Sequence, residues 1–117
     1  MNDRDEVILE TGNVRVRIMV LDANEATAWH FHSEVTDRML CLQGSVAVEY
    51  QDPRESVALA CGERCEVAVT RVHRVVNMTP ETAKYLLVQG VGRYDFNVIR
   101  SPSFSVADQK EHQDRSA

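Results

Sequence analysis

The sequence predicts an all-β domain, built as a sandwich or barrel of short strands. Three observations carry this prediction. Apolar and polar residues alternate with a period of two in several segments, turn-forming residues separate these segments at near-regular intervals, and only the C-terminal end has a helical composition. With 117 residues, the chain has the length of one domain, and this length is sufficient for an ordinary hydrophobic core.

The first half of the chain contains four predicted strands. In the first of them, aliphatic residues alternate with Arg15 and Arg17, which predicts one buried face. We expect both arginines to be exposed or at a subunit contact, or alternatively to bind an anion at the mouth of a pocket. Gln43 and Gly44 separate the last two strands so tightly that they predict a hairpin. The four predicted strands are 14–21, 27–32, 36–42 and 45–50.

The second half contains shorter strands and ends in a polar segment. Tyr85 and Gln89 share one face of its longest strand. We predict a polar tail at 100–117, because this segment has too few bulky apolar residues to offset its ordering entropy. The barrel is predicted to span 13–99, and 1–12 form an N-terminal extension or edge strand. The predicted strands of this half are 56–60, 65–69, 72–78, 83–91 and 94–99.

Charge and composition exclude several classes of partner. Thirteen basic and eighteen acidic residues give a net charge of −5, which disfavours nucleic acid. No apolar run approaches the roughly 18 residues that a membrane span requires. The charged N-terminus lacks the apolar segment of a signal peptide, so we expect a cytoplasmic protein. In that compartment the three cysteines are predicted to be reduced thiols.

Two of the four histidines are placed to act together. His30 and His32 are separated by one residue on a predicted strand, so their imidazoles face the same way. Such a pair is either half of a metal site or a polar pair that is hydrogen-bonded in a core. Asp37 and His73 follow at wider spacing. Imidazoles with one carboxylate suit Fe, Ni, Zn, Mn or Cu better than Mg or Ca.

The spacing of these residues resembles the two sequence motifs of the cupin superfamily. The first motif is HxH, three or four residues, Glu, six residues and Gly; here it reads HFHSEVTDRMLCLQG, with Asp37 in the position of the glutamate. The second runs from a glycine to a histidine, three residues and an asparagine. Here it reads GERCEVAVTRVHRVVN, from Gly62 to Asn77, without the usual proline. The resemblance covers about residues 13–99.

This resemblance implies a double-stranded β-helix, or jelly-roll barrel, that holds one divalent transition metal such as Fe, Zn, Ni or Mn. His30, His32 and His73 match the three histidine ligands of the family, and Asp37 matches its carboxylate. Because Asp is one methylene shorter than Glu, Asp37 either binds the metal directly or acts through a water or a histidine N–H. Glu34 is the competing carboxylate, although it is expected to lie in the turn after the strand.

Two classes of function follow from these residues. The first is a mononuclear metal enzyme that acts on a small molecule as an oxygenase (a dioxygenase), isomerase or lyase. In it, Asp37 tunes the metal or serves as a base, Tyr85 donates a proton or hydrogen bond, and Gln89 orients a substrate oxygen. The alternative for Gln89 is a solvated position near the strand end. The second class is a non-catalytic protein that binds or senses a small molecule, because the superfamily hosts many unrelated chemistries.

Three smaller expectations concern packing and assembly. Trp29 and Phe31 face away from the histidines, and they are expected to pack between sheets or in the interface of a homodimer. Cys41 has the same parity as Asp37 and is expected to be buried. Asn77 is expected to bind a neighbouring loop, since it matches a structural residue of the family motif.

Overall fold

The structure is a computed structural model that describes residues 4–100, which form ten β-strands and no helix. The all-β class is therefore as predicted. Within these residues no helix is long and apolar enough to cross a membrane. The predicted tail, with its histidine at position 112, lies outside the described residues from position 101 onward. The strands are β1 (Glu6–Glu10), β2 (Val14–Leu21), β3 (His30–Phe31), β4 (Thr36–Gln43), β5 (Ser45–Tyr50), β6 (Glu55–Ala60), β7 (Arg64–Val67), β8 (His73–Val76), β9 (Ala83–Gly90) and β10 (Asn97–Val98).

Two five-stranded antiparallel sheets enclose the core. The first has the order β1-β2-β9-β4-β7 and the second has the order β10-β3-β8-β5-β6. Alternate residues of both sheets face each other and exclude water, which is the main stabilising contribution to such a fold. The hydrophobic core comprises Met19, Leu21, Met39, Cys41, Val46, Val48, Tyr50, Leu59, Val67, Val75, Ala83, Tyr85 and Leu87.

The predicted hairpin at Gly44 is wrong. β4 pairs with β7 and β9, whereas β5 pairs with β6 and β8 in the other sheet. The short connection therefore carries the chain from one sheet to the other. Gly44 has φ of 70°, and a Cβ at this position would lie 3.1 Å from the carbonyl oxygen of Thr82. A glycine suits this close crossing because it has no side chain and adopts positive φ without strain.

The buried face of β2 is the one that carries arginine, so the expected exposure of Arg17 is also wrong. Arg17 is only 3% exposed and Met19, on the same face, is fully buried. Arg15 is half-buried, with 21% of its side chain exposed. Both faces of this strand carry aliphatic residues, so a period of two identifies two faces without identifying the inner one.

Several predicted strands are shorter in the structure. The segment 27–32 contributes only β3, because the backbone N–H of Val75 donates to the Thr27 side-chain oxygen instead of to a strand carbonyl. Asn77 ends the β8 region as expected: its fully buried amide donates to the backbone carbonyls of Leu21, Asp22 and Glu81. These bonds connect the second motif to the β2 end and the β9 start.

Candidate metal centre

The structure brings the three predicted histidines and Asp37 together inside the barrel. His30 in β3 lies opposite His73 in β8, and His32 follows β3 directly. Asp37 reaches the same point from β4 in the other sheet. All four residues are at most 2% exposed, and each offers one ligand atom within 4.8 Å of the others. We call these four residues the His₃Asp cluster.

Backbone carbonyls fix the orientation of all three imidazole rings. A carbonyl oxygen only accepts hydrogen bonds, so each Nδ1 atom must carry the proton that it donates. The other nitrogen, Nε2, is then the ring atom that can bind a metal ion or carry a second proton. Such an arrangement is how proteins aim histidine ligands at a metal. The three hydrogen bonds are His30 to Ala28 (2.6 Å), His32 to Asp95 (2.6 Å) and His73 to Arg71 (2.8 Å).

The inner atoms of the cluster are acceptors that face one another. Asp37 Oδ2 lies 3.0 Å from His73 Nε2 and 3.3 Å from His32 Nε2. The Nε2 atom of His30 is buried and has no hydrogen-bond partner among the described residues. Facing acceptors in a buried site require a cation between them, either a proton or a metal ion.

The two distances from Asp37 fit ligands of a single metal ion. Ligand atoms that each lie about 2.1 Å from one ion are about 3.0–3.4 Å from one another, and Asp37 Oδ2 lies within this range of both His73 Nε2 and His32 Nε2. The side chain of Asp37 is therefore long enough to share the site with the histidines, despite its lost methylene. Three nitrogens and one carboxylate suit Fe, Zn, Ni or Mn.

The pKa values of three cluster residues are shifted in different directions. Burial, and then the charge on His73, lower the pKa of His30 to about 3, so this imidazole is neutral over the physiological range. Burial is the largest single influence on His32 and opposes its charge, but the hydrogen bond to Asp37 and the charge of Asp37 together raise the pKa of His32. Burial is also the largest single influence on Asp37, but its hydrogen bonds to His32 and His73 and their charges together hold the pKa of that carboxyl well below its usual range. Asp37 is thus an anion at neutral pH.

Gln89 connects the cluster to Arg17, and the expectation that this glutamine is solvated is wrong. Gln89 is fully buried, and its Nε2 donates to Asp37 Oδ1 at 3.0 Å. Its Oε1 accepts a hydrogen bond from Arg17 Nη2 at 2.7 Å. The alternation on β9 that led to Gln89 is therefore the sequence signal that finds this contact. The sequence does not indicate the buried position of Arg17, because an arginine that alternates with aliphatic residues is typical of an exposed strand face.

Two other predicted residues lie away from the cluster. Tyr85 is fully buried on the same face as Gln89, but it precedes Gln89 by four residues, about 13 Å along the strand, and belongs to the hydrophobic core. Glu34 is exposed in the turn after β3, where its Oε1 accepts the backbone N–H of Arg93 at 3.2 Å. The competing carboxylate is thus not part of the His₃Asp cluster.

A segment before β10 covers the cluster, and the sequence interpretation missed it. The ring of Phe96 lies 4.5 Å from that of His30, and the ring of Tyr94 lies 5.6 Å from that of His32. Between them, Asp95 holds His32 through its carbonyl oxygen and the backbone N–H of Ser33 through its carboxylate. Two aromatics separated by one residue were the available signal, since side chains at this spacing face the same way in extended chain.

No protein-family model matches the chain, and neither does any curated protein sequence. Solved structures do match. An uncharacterized conserved protein with a double-stranded β-helix domain from Klebsiella pneumoniae is 21% identical, with a TM-score of 0.72 over 81% of this chain and 82% of that one. The polyketide cyclase RemF from Streptomyces resistomycificus is 17% identical, with a TM-score of 0.72 over 85% of this chain and 72% of that one.

A further match is an oxalate oxidase, 13% identical with a TM-score of 0.68; the aligned region covers 74% of this chain and 46% of the oxidase. At these identities the likeness establishes the fold. The chain therefore has a double-stranded β-helix fold, which the resemblance of its motifs to those of the cupins predicted. Its neighbours include enzymes with different reactions, so the fold does not select among them.

Proposed function

We propose that the His₃Asp cluster binds one divalent transition metal and that the protein is an enzyme for a small molecule, of the oxygenase, isomerase or lyase type. The observation that carries the proposal is the convergence of three oriented Nε2 atoms on a buried carboxylate. Proteins rarely bury so many acceptors without a cation. The oxidase and the cyclase among the structural neighbours support a catalytic role.

A metal in this site supplies Lewis acidity toward a substrate oxygen and, if it is iron, a centre for oxygen chemistry. The protein supplies the rest. Asp37 is anionic, so its Oδ2 can bind a metal ion or accept a hydrogen bond, and its lowered pKa makes it a weak base. Gln89 holds Oδ1 and so fixes the plane of this carboxylate. The proposed proton donation by Tyr85 requires a substrate that extends from the cluster toward the hydrophobic core, where Tyr85 lies.

Metal content tests the binding step. Purified wild-type protein and His73→Ala are each loaded with Fe²⁺ or Zn²⁺, desalted and measured by elemental analysis. We expect one metal per chain in the wild type and a large loss in the variant, because one of three imidazole ligands is missing. His112→Ala is the control, since His112 is outside both motifs. Equal loading of the wild type and His73→Ala would refute the metal site.

A non-catalytic binding or sensing protein is the second candidate, because a buried polar pocket serves recognition as well as catalysis. Turnover by the metal-loaded protein is measured across diketones, thiols, hydroxy acids and sugar derivatives. Product formation that disappears in His73→Ala supports the enzyme. Saturable binding without turnover supports the binding protein.

We also propose a homodimer, formed along β1. Trp29 is 4% exposed and lies under the Arg74 guanidinium of its own chain, so it is not available to a partner. β1 is an edge strand, and its Ile8 and Leu9 are 51% and 53% exposed, which favours pairing with a second edge. Light scattering should give two chain masses for the wild type and one for Ile8→Lys. Val57→Lys, on the edge strand of the other sheet, is the control.

A further inference from the structure

The Arg17 guanidinium is buried without a matching anion. It is 3% exposed, and no carboxylate of the described residues lies within 4.0 Å of it. Its Nη2 donates to the neutral side chain of Gln89, and its buried Nε atom has no hydrogen-bond partner among the described residues. Burial of a charge is costly unless an opposite charge and hydrogen bonds compensate it. This arginine is therefore suited to bind an anion that is not part of the chain.

The surroundings of Arg17 are also positive. Arg15, two residues before it, is on the same strand face, and both guanidinium groups lie against the ring of Tyr94, at 4.3 Å and 5.7 Å. Burial, and then the charge of Arg15, lower the pKa of Arg17. The nearest acid on Arg15 is Glu10, at 2.9 Å, and the Glu10 side chain is 55% exposed and so faces water. Within the part of the chain that the structure describes, no carboxylate within 4.0 Å balances Arg17, the interior member of this pair.

A cavity of about 340 Å³ leads to this corner. Its lining includes Arg15, Arg93, Tyr94 and Gln89, together with Glu10, the partner of Arg15. Gln89 contacts Arg17 with one end of its amide and Asp37 with the other. Arg17 and the His₃Asp cluster lie behind this lining, and Gln89 connects the cavity to both of them. The volume is of the size that small ligands occupy.

We propose that Arg15 and Arg17 bind the carboxylate of a small anionic substrate, a hydroxy- or oxo-carboxylate, and direct its second oxygen to the His₃Asp cluster. The fork of a guanidinium donates two parallel hydrogen bonds to a carboxylate, which selects for charge and shape. Only the second half of the proposal rests on the proposed metal function. The anion site itself depends on Arg17, Arg15 and Tyr94, none of which belongs to the cluster.

Lactate and its neutral amide, lactamide, are suitable probes, because they share the hydroxyl group and nearly the same size. Calorimetric titration of the metal-loaded wild type should show lactate bound at least about tenfold more tightly than lactamide, the difference expected for hydrogen bonds to a charged group. Arg17→Met keeps the apolar stem and removes the charge, so the preference for lactate should disappear. Metal content should stay the same in this variant.

Arg38→Met is the matched control. Arg38 is on β4 of the same sheet, its side chain is 55% exposed, and it pairs with Glu66 on the surface. This variant should bind lactate as the wild type does. If Arg17→Met fails to fold, Arg17→Lys carries the test, since it keeps the charge without the fork and should bind lactate more weakly but still prefer it to lactamide.

Three outcomes overturn the proposal: no binding of lactate by the wild type at millimolar concentration, equal binding of lactate and lactamide, or unchanged preference in Arg17→Met. The same titration with His73→Ala separates this site from the metal proposal. A preference for lactate that persists in that variant, together with equal metal loading of the wild type and His73→Ala, refutes the metal site and leaves the anion site standing.

Discussion

The interior of the barrel has two ends that are equally buried and chemically opposite. Three adjacent strands of the first sheet show this. Toward one end they present Met19, Cys41 and Tyr85, and toward the other they present Arg17, Asp37 and Gln89. We call these the apolar end and the polar end. All six residues are at most 3% exposed, so burial does not distinguish the two ends.

The difference between the ends shows how stability and function are divided within one interior. The apolar end satisfies its burial by packing alone, which is non-directional and stabilising. The polar end is held by directional bonds, and it still contains two buried atoms, Nε2 of His30 and Nε of Arg17, that have no hydrogen-bond partner within residues 4–100. Such groups reduce stability unless a ligand compensates them. The apolar end therefore stabilises the fold, and the polar end is prepared for ligands.

Substitution at the apolar end is expected to give the largest effect on folding. Leu87→Ala removes a fully buried side chain of the hydrophobic core and leaves a cavity. The free energy of unfolding should fall by about 2–5 kcal/mol in a denaturant titration. Metal content should be unchanged, because Leu87 belongs to the hydrophobic core and is not a residue of the His₃Asp cluster. Loss of metal in folded Leu87→Ala would show that the two ends are not independent.

Substitution at the polar end is expected instead to abolish the increase in the free energy of unfolding that a bound metal ion gives. A Zn²⁺ concentration of about 1,000 times the dissociation constant raises the free energy of unfolding by about 4 kcal/mol. His30→Leu should lose this increment in a thermal melt followed by circular dichroism. Leu87→Ala should gain the same increment from Zn²⁺, although its stability without metal is lower. An equal increment in His30→Leu and the wild type would contradict the assignment of His30.

The pH dependence of the metal-free protein gives a smaller and directional effect. The folded pKa of His30 is about 3, against 6.5 for an ordinary histidine, so the unfolded chain binds more protons between these values. Stability should therefore fall by about 3 kcal/mol as the pH decreases from 6.5 to 4. His32 acts mainly above this window, because its pKa is raised above 6.5. Asp37, whose pKa is lowered below 3.8, adds a small further decline only below about pH 5.

The contribution of His30 is isolated by comparing the wild type with His30→Leu. The free energy of unfolding of each is measured at both pH values by chemical denaturation. The variant cannot take up the proton, so its decline should be smaller by about the same 3 kcal/mol. Parallel declines would mean that His30 is not kept neutral by its burial.

The sequence predicted the polar end better than it predicted which faces are inside. His30, His32, Asp37 and His73 were found because their spacing is fixed by where β3, β4 and β8 meet. Such spacing can be read from a single sequence, because glycines and short turns mark where the segments that carry the ligands end.

The inward position of Arg17 was not predictable in the same way. Periodicity assigns residues to two faces, but the choice between these faces depends on what covers each one. The hairpin at Gly44 failed for a related reason. A two-residue separation is compatible with a hairpin within one sheet and with a crossing between two sheets, and only the pairing of β4 with β9 excludes the hairpin.

The smallest effect we expect is at Gln89, which separates the arginines from the cluster. Gln89→Met keeps the volume and removes both the donor to Asp37 Oδ1 and the acceptor for Arg17. Because residues that orient metal ligands contribute about 10–100-fold in affinity, the dissociation constant for Zn²⁺ should rise by that factor, measured by competition with a chelator. Gln89→Glu is the contrasting variant: it adds an anion beside Arg17 and should weaken lactate binding more than Zn²⁺ binding. If both variants bind Zn²⁺ as the wild type does, Gln89 fills space at the polar end without orienting Asp37.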